Sequence, residues 1–307
     1  MYRCVYWRLV RLGVLWRGRR ELAGLAPPES FSEKLQFKML ADRRPLLTTF
    51  ADKVAVRGYV EARLGREFLT ELYMVTDSPA RLRPGAIPHE FVVKASHGSG
   101  GVIVVSSAAA RDAELPRPPA GWCSGMITPE RVDWGLLRSL CREWLTLRYG
   151  GVLEWAYRHV PPRLLCEEVL LDQGHVPFDY RFLVFHGQTR LIQVEQGRFV
   201  HNTTQSFYTP QWQRLDVTTG SPAGDDLPKP PALERMLSAA EVLGAETDFV
   251  RVDLYTIGQR VVVGELTNYP ASGGRPFKPH EFDRQLGACW TPPNRYTQRH
   301  FTKGLYH

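Results

Sequence analysis

Phe91-Val-Val-Lys94-Ala-Ser-His97-Gly98-Ser99-Gly100-Gly101-Val-Ile-Val-Val105 runs from an apolar stretch into a lysine, turns through three glycines and re-enters a second apolar stretch. The β-branched runs at each end, bounded by turn residues, predict two antiparallel strands. Glycines leave backbone N–H groups unshielded, and Lys94 brings a point charge to the same end of the hairpin. That combination suits a nucleotide's phosphates; a plain glycine turn beside an exposed lysine is the competing reading. The order of the parts excludes better-known motifs. No Gly-Lys-Ser/Thr follows Gly101, a kinase glycine loop precedes its strand lysine, and Ser99 lacks the glycine spacing of a nucleophile elbow.

A second constellation lies in Phe249-Val-Arg251-Val-Asp253-Leu-Tyr255-Thr-Ile-Gly258-Gln-Arg260-Val-Val-Val-Gly-Glu265-Leu-Thr267-Asn268. Apolar and polar residues alternate on both sides of a glycine turn, the pattern of a β-hairpin. With an odd-numbered loop centred on Gln259, Asp253 opposes Glu265 and Arg251 opposes Thr267, all on one face. Val250, Val252, Leu254, Val262 and Leu266 then form the core face. A two-residue loop at Gly258-Gln259 would break this register. Opposed carboxylates repel, and either a divalent cation or a neighbouring Arg251 or Arg260 must compensate.

These residues carry a resemblance. Ala51-Asp52-Lys53, Lys94 with His97-Gly98-Ser99-Gly100, Glu167-Glu168, Arg251-Val-Asp253 and Gly264-Glu265-Leu-Thr267 occur in the order of an ATP-grasp nucleotide-binding fold. More narrowly, the chain resembles the TupA-like ATP-grasp family, associated with teichuronopeptide and other cell-surface polymer biosynthesis. Phe31-Ser-Glu33-Lys34, Asp179-Tyr-Arg181-Phe, Arg198 and the segment from Phe277 to Gly287 support it, so that it covers about residues 28–290.

The resemblance implies an α+β protein whose two subdomains clamp ATP. It divides the chain into a basic helical extension (1–27), a first subdomain (28–168) and a second, metal-bearing one (169–307). It implies that Lys53 and Lys94 bind the phosphates, that His97, Gly98, Ser99, Gly100 and Gly101 close over them, and that Glu167, Glu168 and Leu170 contact adenine and ribose. Asp253 and Glu265 would hold Mg²⁺, and Arg251, with Lys94, would act on the transferring γ-phosphate. Arg181 stands in the ATP site where a lysine is commoner, which keeps the charge but changes donor geometry. An asparagine often follows the second metal carboxylate by two residues; here that position is Thr267, with Asn268 one step out of phase. The activity implied is an ADP-forming carboxylate–amine ligase working through an acyl phosphate. Its partners would be small-molecule or peptide carboxylates and amines. A kinase acting on a hydroxyl, and a non-catalytic nucleotide-binding component of polymer assembly, are the alternatives. Arg198, His201 and Asn202 are the candidates for substrate contact, because Arg suits a carboxylate.

Composition agrees with an enzyme. The 307 residues are 43% hydrophobic and carry a net charge of +7. Six arginines, Arg3, Arg8, Arg11, Arg17, Arg19 and Arg20, fall in the first twenty residues without an acid, leaving the rest close to neutral. No nucleic-acid groove is indicated. Tyr2, Val5, Leu9, Leu12 and Trp16 have helical spacing, for a helix that either docks on the body or lies on an anionic membrane or partner through residues 1–20. Arg8 and Arg11 interrupt any signal-peptide core, so the expectation is a cytoplasmic protein, at the inner membrane face under the second reading. The five cysteines, Cys4, Cys123, Cys141, Cys166 and Cys289, show no paired spacing and predict neither disulfides nor a zinc site.

Elsewhere, Ser30-x-x-Glu33 is a capping box for a helix to about Leu40. A second helix is expected from about Asp52 to Gly65, a third from Thr128-Pro129-Glu130 to about Tyr149, and a fourth over 232–243. Strands are expected at 163–170, 181–185 and 191–195, with loops over 108–121 and 216–231.

Overall fold

The computed structural model describes residues 28–150, 153–197 and 203–293. The basic extension and Arg198, His201 and Asn202 lie outside these residues. Ser30 and Glu33 cap helix α1 (Phe31–Ala41) reciprocally, as their spacing requires. Helix α2 (Pro45–Ala51) follows, and α3 (Ala55–Leu64) ends at Gly65, whose φ of 96° favours glycine.

The first sheet contains β1 (Leu72–Thr76), β2 (Phe91–Ala95), β3 (Val102–Val105), β4 (Ser124–Ile127) and β5 (Leu164–Glu167), in the order β1-β5-β2-β3-β4. The β2–β3 hairpin is antiparallel as expected, and only β3–β4 is parallel. Helix α4 (Trp134–Thr146) covers one face, burying Leu137, Leu140, Cys141 and Trp144 against Phe91, Val93 and Ile103. The helix expected from Thr128 starts later. Pro129–Arg131 is a single 3₁₀ turn, and Asp133 caps α4 by accepting from the N–H groups of Gly135 and Leu136. On the other face a small apolar patch, Val92, Val102 and Val104, looks into a cleft.

The second sheet contains β6 (Asp179–Phe185), β7 (Gln188–Gln196), β8 (Thr204–Tyr208), β9 (Arg214–Leu215), β10 (Phe249–Ile257) and β11 (Arg260–Thr267), in the order β11-β10-β6-β7-β8-β9. Helix α5 (Leu233–Gly244) and helix α3 bury one face through Val56, Val60, Met236 and Leu243. On the opposite face, Leu183, Phe185, Leu191 and Phe249 pack against Phe31 of α1, Leu286 of α6 (His280–Ala288) and Trp290. The same strand positions nearer the first sheet are polar: Asp179, Arg181, Glu195, Arg251 and Asp253. One face of one sheet is therefore core at one end and a charged site at the other. No helix among the described residues is long and apolar enough to cross a membrane.

The β10–β11 hairpin corrects one expectation while keeping its consequence. The turn is the two-residue one, Gly258-Gln259, pairing Ile257 with Arg260 and Tyr255 with Val262. A bulge at Gly264 then restores the alignment, so that Asp253 opposes Glu265 and Arg251 opposes Thr267. Val261 and Val263, rather than Val262, consequently join the core face. A Cβ at Gly264 would stand 2.5 Å from Cε2 of Tyr255. Gly264→Ala is expected to cost about 1–3 kcal/mol by denaturant unfolding, partly recovered when Tyr255 is also trimmed to alanine. An unchanged midpoint would mean that the bulge tolerates a side chain.

Candidate functional site

Strands β2, β3 and β5 of the first sheet and the edge strand β11 of the second contribute to the lining of one cleft. Its walls are apolar on the first sheet, from Val92, Val102 and Val104, and continue through Val169 and Leu170 after β5 and Val263 on β11. Lys94 and Glu167 lie at its polar end. Apolar walls with a few convergent polar groups suit an aromatic base, with its charged portion toward the lysine.

Lys94 projects from β2 onto the Glu167 carboxylate, making a short contact with Oε1. Glu167 also accepts from Thr70 Oγ1 at 2.7 Å and from Arg57 Nη1 at 3.3 Å. Burial works to raise this carboxyl, but Lys94, Thr70 and Arg57 outweigh it and hold it below the usual range. Glu168 turns the other way and takes a two-pronged contact from Arg260, at 2.7 and 2.8 Å. Arg260 is thus occupied by Glu168 and does not neutralise the hairpin carboxylates.

Lys53 sits in the turn between α2 and α3, ahead of the helix rather than inside its first turn. Asp52 sets that turn by accepting from Val54 N at 2.9 Å and from Arg163 Nη2 at 2.6 Å. Lys53 Nζ donates to the Gly98 carbonyl at 2.6 Å and lies 3.3 Å from Glu265 Oε1. One ammonium group therefore joins the glycine loop of the first sheet to a carboxylate of the second.

The glycine loop wraps over the indole of Trp122. A Cβ at Gly98, Gly100 or Gly101 would lie 2.6, 3.0 or 3.1 Å from Trp122 atoms, and Gly100 has a φ of 95°. The three glycines thus permit this close approach, while Ser99 stays exposed. His97, expected over the phosphates, instead turns inward: its Nε2 lies 3.1 Å from the Trp144 carbonyl and its ring meets Trp122 edge to face. Burial depresses its pKa, with the Trp144 and Leu147 carbonyls opposing. A base with a depressed folded pKa contributes stability above its unfolded pKa and loses it as pH falls. His97→Gln is therefore expected to flatten part of the decline in urea midpoint between about pH 7.5 and 5.5. Equal slopes in both proteins would contradict this.

On the second sheet, Arg251 grips Asp253 through Nε at 2.7 Å and Nη2 at 2.6 Å, and Nη2 reaches Thr267 Oγ1 at 3.0 Å. Arg181 is held between Asp179, at 2.7 Å, and Glu195, at 2.9 Å, with its Nε 3.8 Å from Asp253. Burial pushes the Asp253 carboxyl up to about 6, with Arg251 countering and Asp179 adding to it. Arg251 and Lys53 relieve the repulsion between Asp253 and Glu265 in this structure. Among the described residues no three His, Cys, Asp or Glu side chains gather into a protein-only metal cage. Two opposed carboxylates fit a hard cation whose remaining positions are filled by phosphate oxygens and water. Asn268 follows β11, and its Nδ2 donates to the Leu47 carbonyl at 2.7 Å.

Sequence reasoning passed over Arg57, Thr70, Trp122 and Glu195, whose partners lie on other elements that only the fold brings beside them. Asp52 was visible as part of a motif, but its bond to Arg163 was not.

A family model described as TupA-like ATPgrasp matches residues 33–291. The PsnB ATP-grasp ligase, solved with its minimal precursor, is 10% identical over 80% of this chain and 63% of its own, with a TM-score of 0.37. The D-alanine–D-alanine ligase of Bacillus anthracis is 13% identical over 84% of this chain and 74% of its own, at a TM-score of 0.41. That of Helicobacter pylori is 16% identical over 86% and 69%, at 0.42. The chain thus spans less than two thirds of the length of PsnB. No curated protein sequence matches it.

Proposed function

The chain belongs to the TupA-like ATP-grasp family, and on that premise we propose that it is an ADP-forming carboxylate–amine ligase. The observation that carries the reading is Lys53 Nζ, which touches both the glycine loop and Glu265. The groups suited to phosphates and those suited to a cation meet there, at the end of an apolar cleft.

In this reading the base lies between Val92, Val104 and Val263, and Lys94 and Lys53 receive the phosphates. Asp253 and Glu265 would hold Mg²⁺, which supplies positive charge at the phosphate oxygens. Arg251 is anchored by Asp253 and Thr267 at the γ-phosphate end, oriented for charge that builds up during transfer. A substrate carboxylate oxygen forms a bond to the γ-phosphorus as ADP leaves; an uncharged amine nitrogen then forms a bond to the acyl carbon as inorganic phosphate leaves, and the proton the nitrogen loses passes to the departing phosphate or to water. Positioning and electrostatics carry both steps, with little covalent work for the protein. Arg198, His201 and Asn202 are proposed at the substrate carboxylate, and a role in cell-surface polymer assembly, in the cytoplasm, is proposed for the whole.

The test is ADP release with Mg²⁺-ATP and hydroxylamine across amino acids, short peptides and uronic acids, with hydroxamate measured in parallel. Hydroxamate above background supports an acyl phosphate. A stoichiometric phosphorylated product without hydroxamate would replace the ligase by a kinase on the same fold.

A further inference from the structure

Glu167 carries one negative charge and has two cations on it. Its side chain is 6% exposed; Lys94 contacts Oε1, while Arg57 Nη1 and the Thr70 hydroxyl reach Oε2 at 3.3 and 2.7 Å. Other buried acids are matched one for one: Asp42 and Asp248 share Lys38 and Arg44, and Asp52 has Arg163. One of the two cations at Glu167 is therefore surplus to its charge.

The fold decides which one is free to move. Strand β5 runs between β1 and β2, with Glu167 opposite Leu72 and Val92, and Leu165 opposite Lys94. Lys94 and Glu167 are thus diagonal neighbours on one face of the sheet. Both line the apolar cleft, as does Thr70, whereas Arg57 is not among the residues of that lining. Arg57 comes instead from α3, where Val56 and Val60 pack under the second sheet, and it shares a smaller cavity with Lys53, Lys94 and Glu167. Its guanidinium is fixed twice more, Nη1 donating to Thr70 Oγ1 at 3.0 Å and Nη2 to the Thr70 carbonyl at 2.5 Å. Among the described residues the Lys94 ammonium bonds only Glu167, at the end of a flexible stem. Lys94 is the movable cation and Arg57 the anchored one.

A phosphate arriving at Lys94 draws its ammonium from Glu167, in part or whole, and sets a new negative charge nearby. Lys94 does most to keep this buried carboxyl ionised, with Thr70 and Arg57 next. Without a second cation Glu167 would take a proton from solvent, and part of the binding free energy would be lost to that protonation. The other ionisable groups around it are engaged or turned away. Arg260 holds Glu168, Lys53 bonds the Gly98 carbonyl and Glu265, and the Cys166 thiol lies in the core under α4, pushed up to about 12 by burial. We propose that Arg57, with the Thr70 hydroxyl, is a positioning residue for nucleotide binding: it holds Glu167 ionised and in place while Lys94 passes to the phosphates. The assignment rests on the reading above that sets phosphates at Lys94, and is independent of the choice between ligase and kinase.

The test is calorimetry of the full chain with the Mg²⁺ complex of the β,γ-imido analogue of ATP, near neutral pH and in buffers of different ionisation enthalpy. This reads affinity and the protons exchanged on binding together. Arg57→Gln is expected to bind at least about tenfold more weakly and to take up more protons than the unaltered protein. The extra uptake should vanish in the Arg57→Gln, Glu167→Gln double variant, which assigns the proton to Glu167. Weaker binding without extra uptake, or extra uptake that persists in the double variant, overturns the proposal. If Arg57→Gln does not fold, Thr70→Val decides: it removes one donor to Glu167 and should give the extra uptake in smaller measure, and its absence overturns the proposal. Lys94→Met separates this proposal from the reading beneath it. Unchanged affinity in Lys94→Met removes the phosphate reading and the proposal with it; weakened binding there beside unaltered behaviour in Arg57→Gln overturns the proposal alone.

Discussion

Asp253→Asn is expected to lower Mg²⁺-dependent ADP release by at least about 100-fold while leaving the chain folded. The substitution keeps the shape of the side chain and removes the charge that would hold the cation. Glu265→Gln, on the facing strand position, should have the same effect for the same reason. Two features make the outcome informative. Arg251 and Lys53 already neutralise these carboxylates, so a hairpin used only as a surface ladder would tolerate either change with near-normal turnover. The Asp253 carboxyl is also pushed up to about 6, so protons compete with the cation there. Apparent Mg²⁺ affinity should fall as pH drops through that value and level off above it.

Lys94→Met should weaken ATP binding by about 1.5–3 kcal/mol, roughly tenfold or more. The structure adds a second consequence. Glu167 is buried and depends on Lys94, Thr70 and Arg57, so removing the lysine leaves a carboxylate short of positive charge. Unfolding free energy is expected to drop by about 1–3 kcal/mol. Adding Glu167→Gln should return the stability, because both partners are then neutral, without returning nucleotide affinity. If the double variant binds ATP normally, Lys94 serves Glu167 and not the phosphates.

Much of this was legible because the decisive signals are local. The two hairpins announce themselves through β-branched runs broken by glycines, and Ser30 with Glu33 marks the start of a helix without help from elsewhere. The alignment of Asp253 with Glu265 was reached by assuming an odd loop, and it holds because the bulge at Gly264 cancels the even one. An isolated glycine within a strand is the signal that would have shown this. Features set by distant partners were not legible. Strand β4 has no alternating pattern and exists because Ser124–Ile127 lies parallel to β3. The turn at Pro129 was read as a helix start, although the stronger cap is Asp133, four residues on. The glycines of the loop were read for the N–H groups they leave bare, whereas the structure shows a tryptophan that only glycines admit.

The most direct measurement is a crystal structure of the full chain grown with Mn²⁺ and ADP, with the metal located by its anomalous signal. The account predicts a manganese peak between Asp253 and Glu265, bridged to phosphate oxygens that Lys53 and Lys94 also contact, with the base against Val92 and Val104. Nucleotide bound elsewhere, or manganese without contact to either carboxylate, would contradict it.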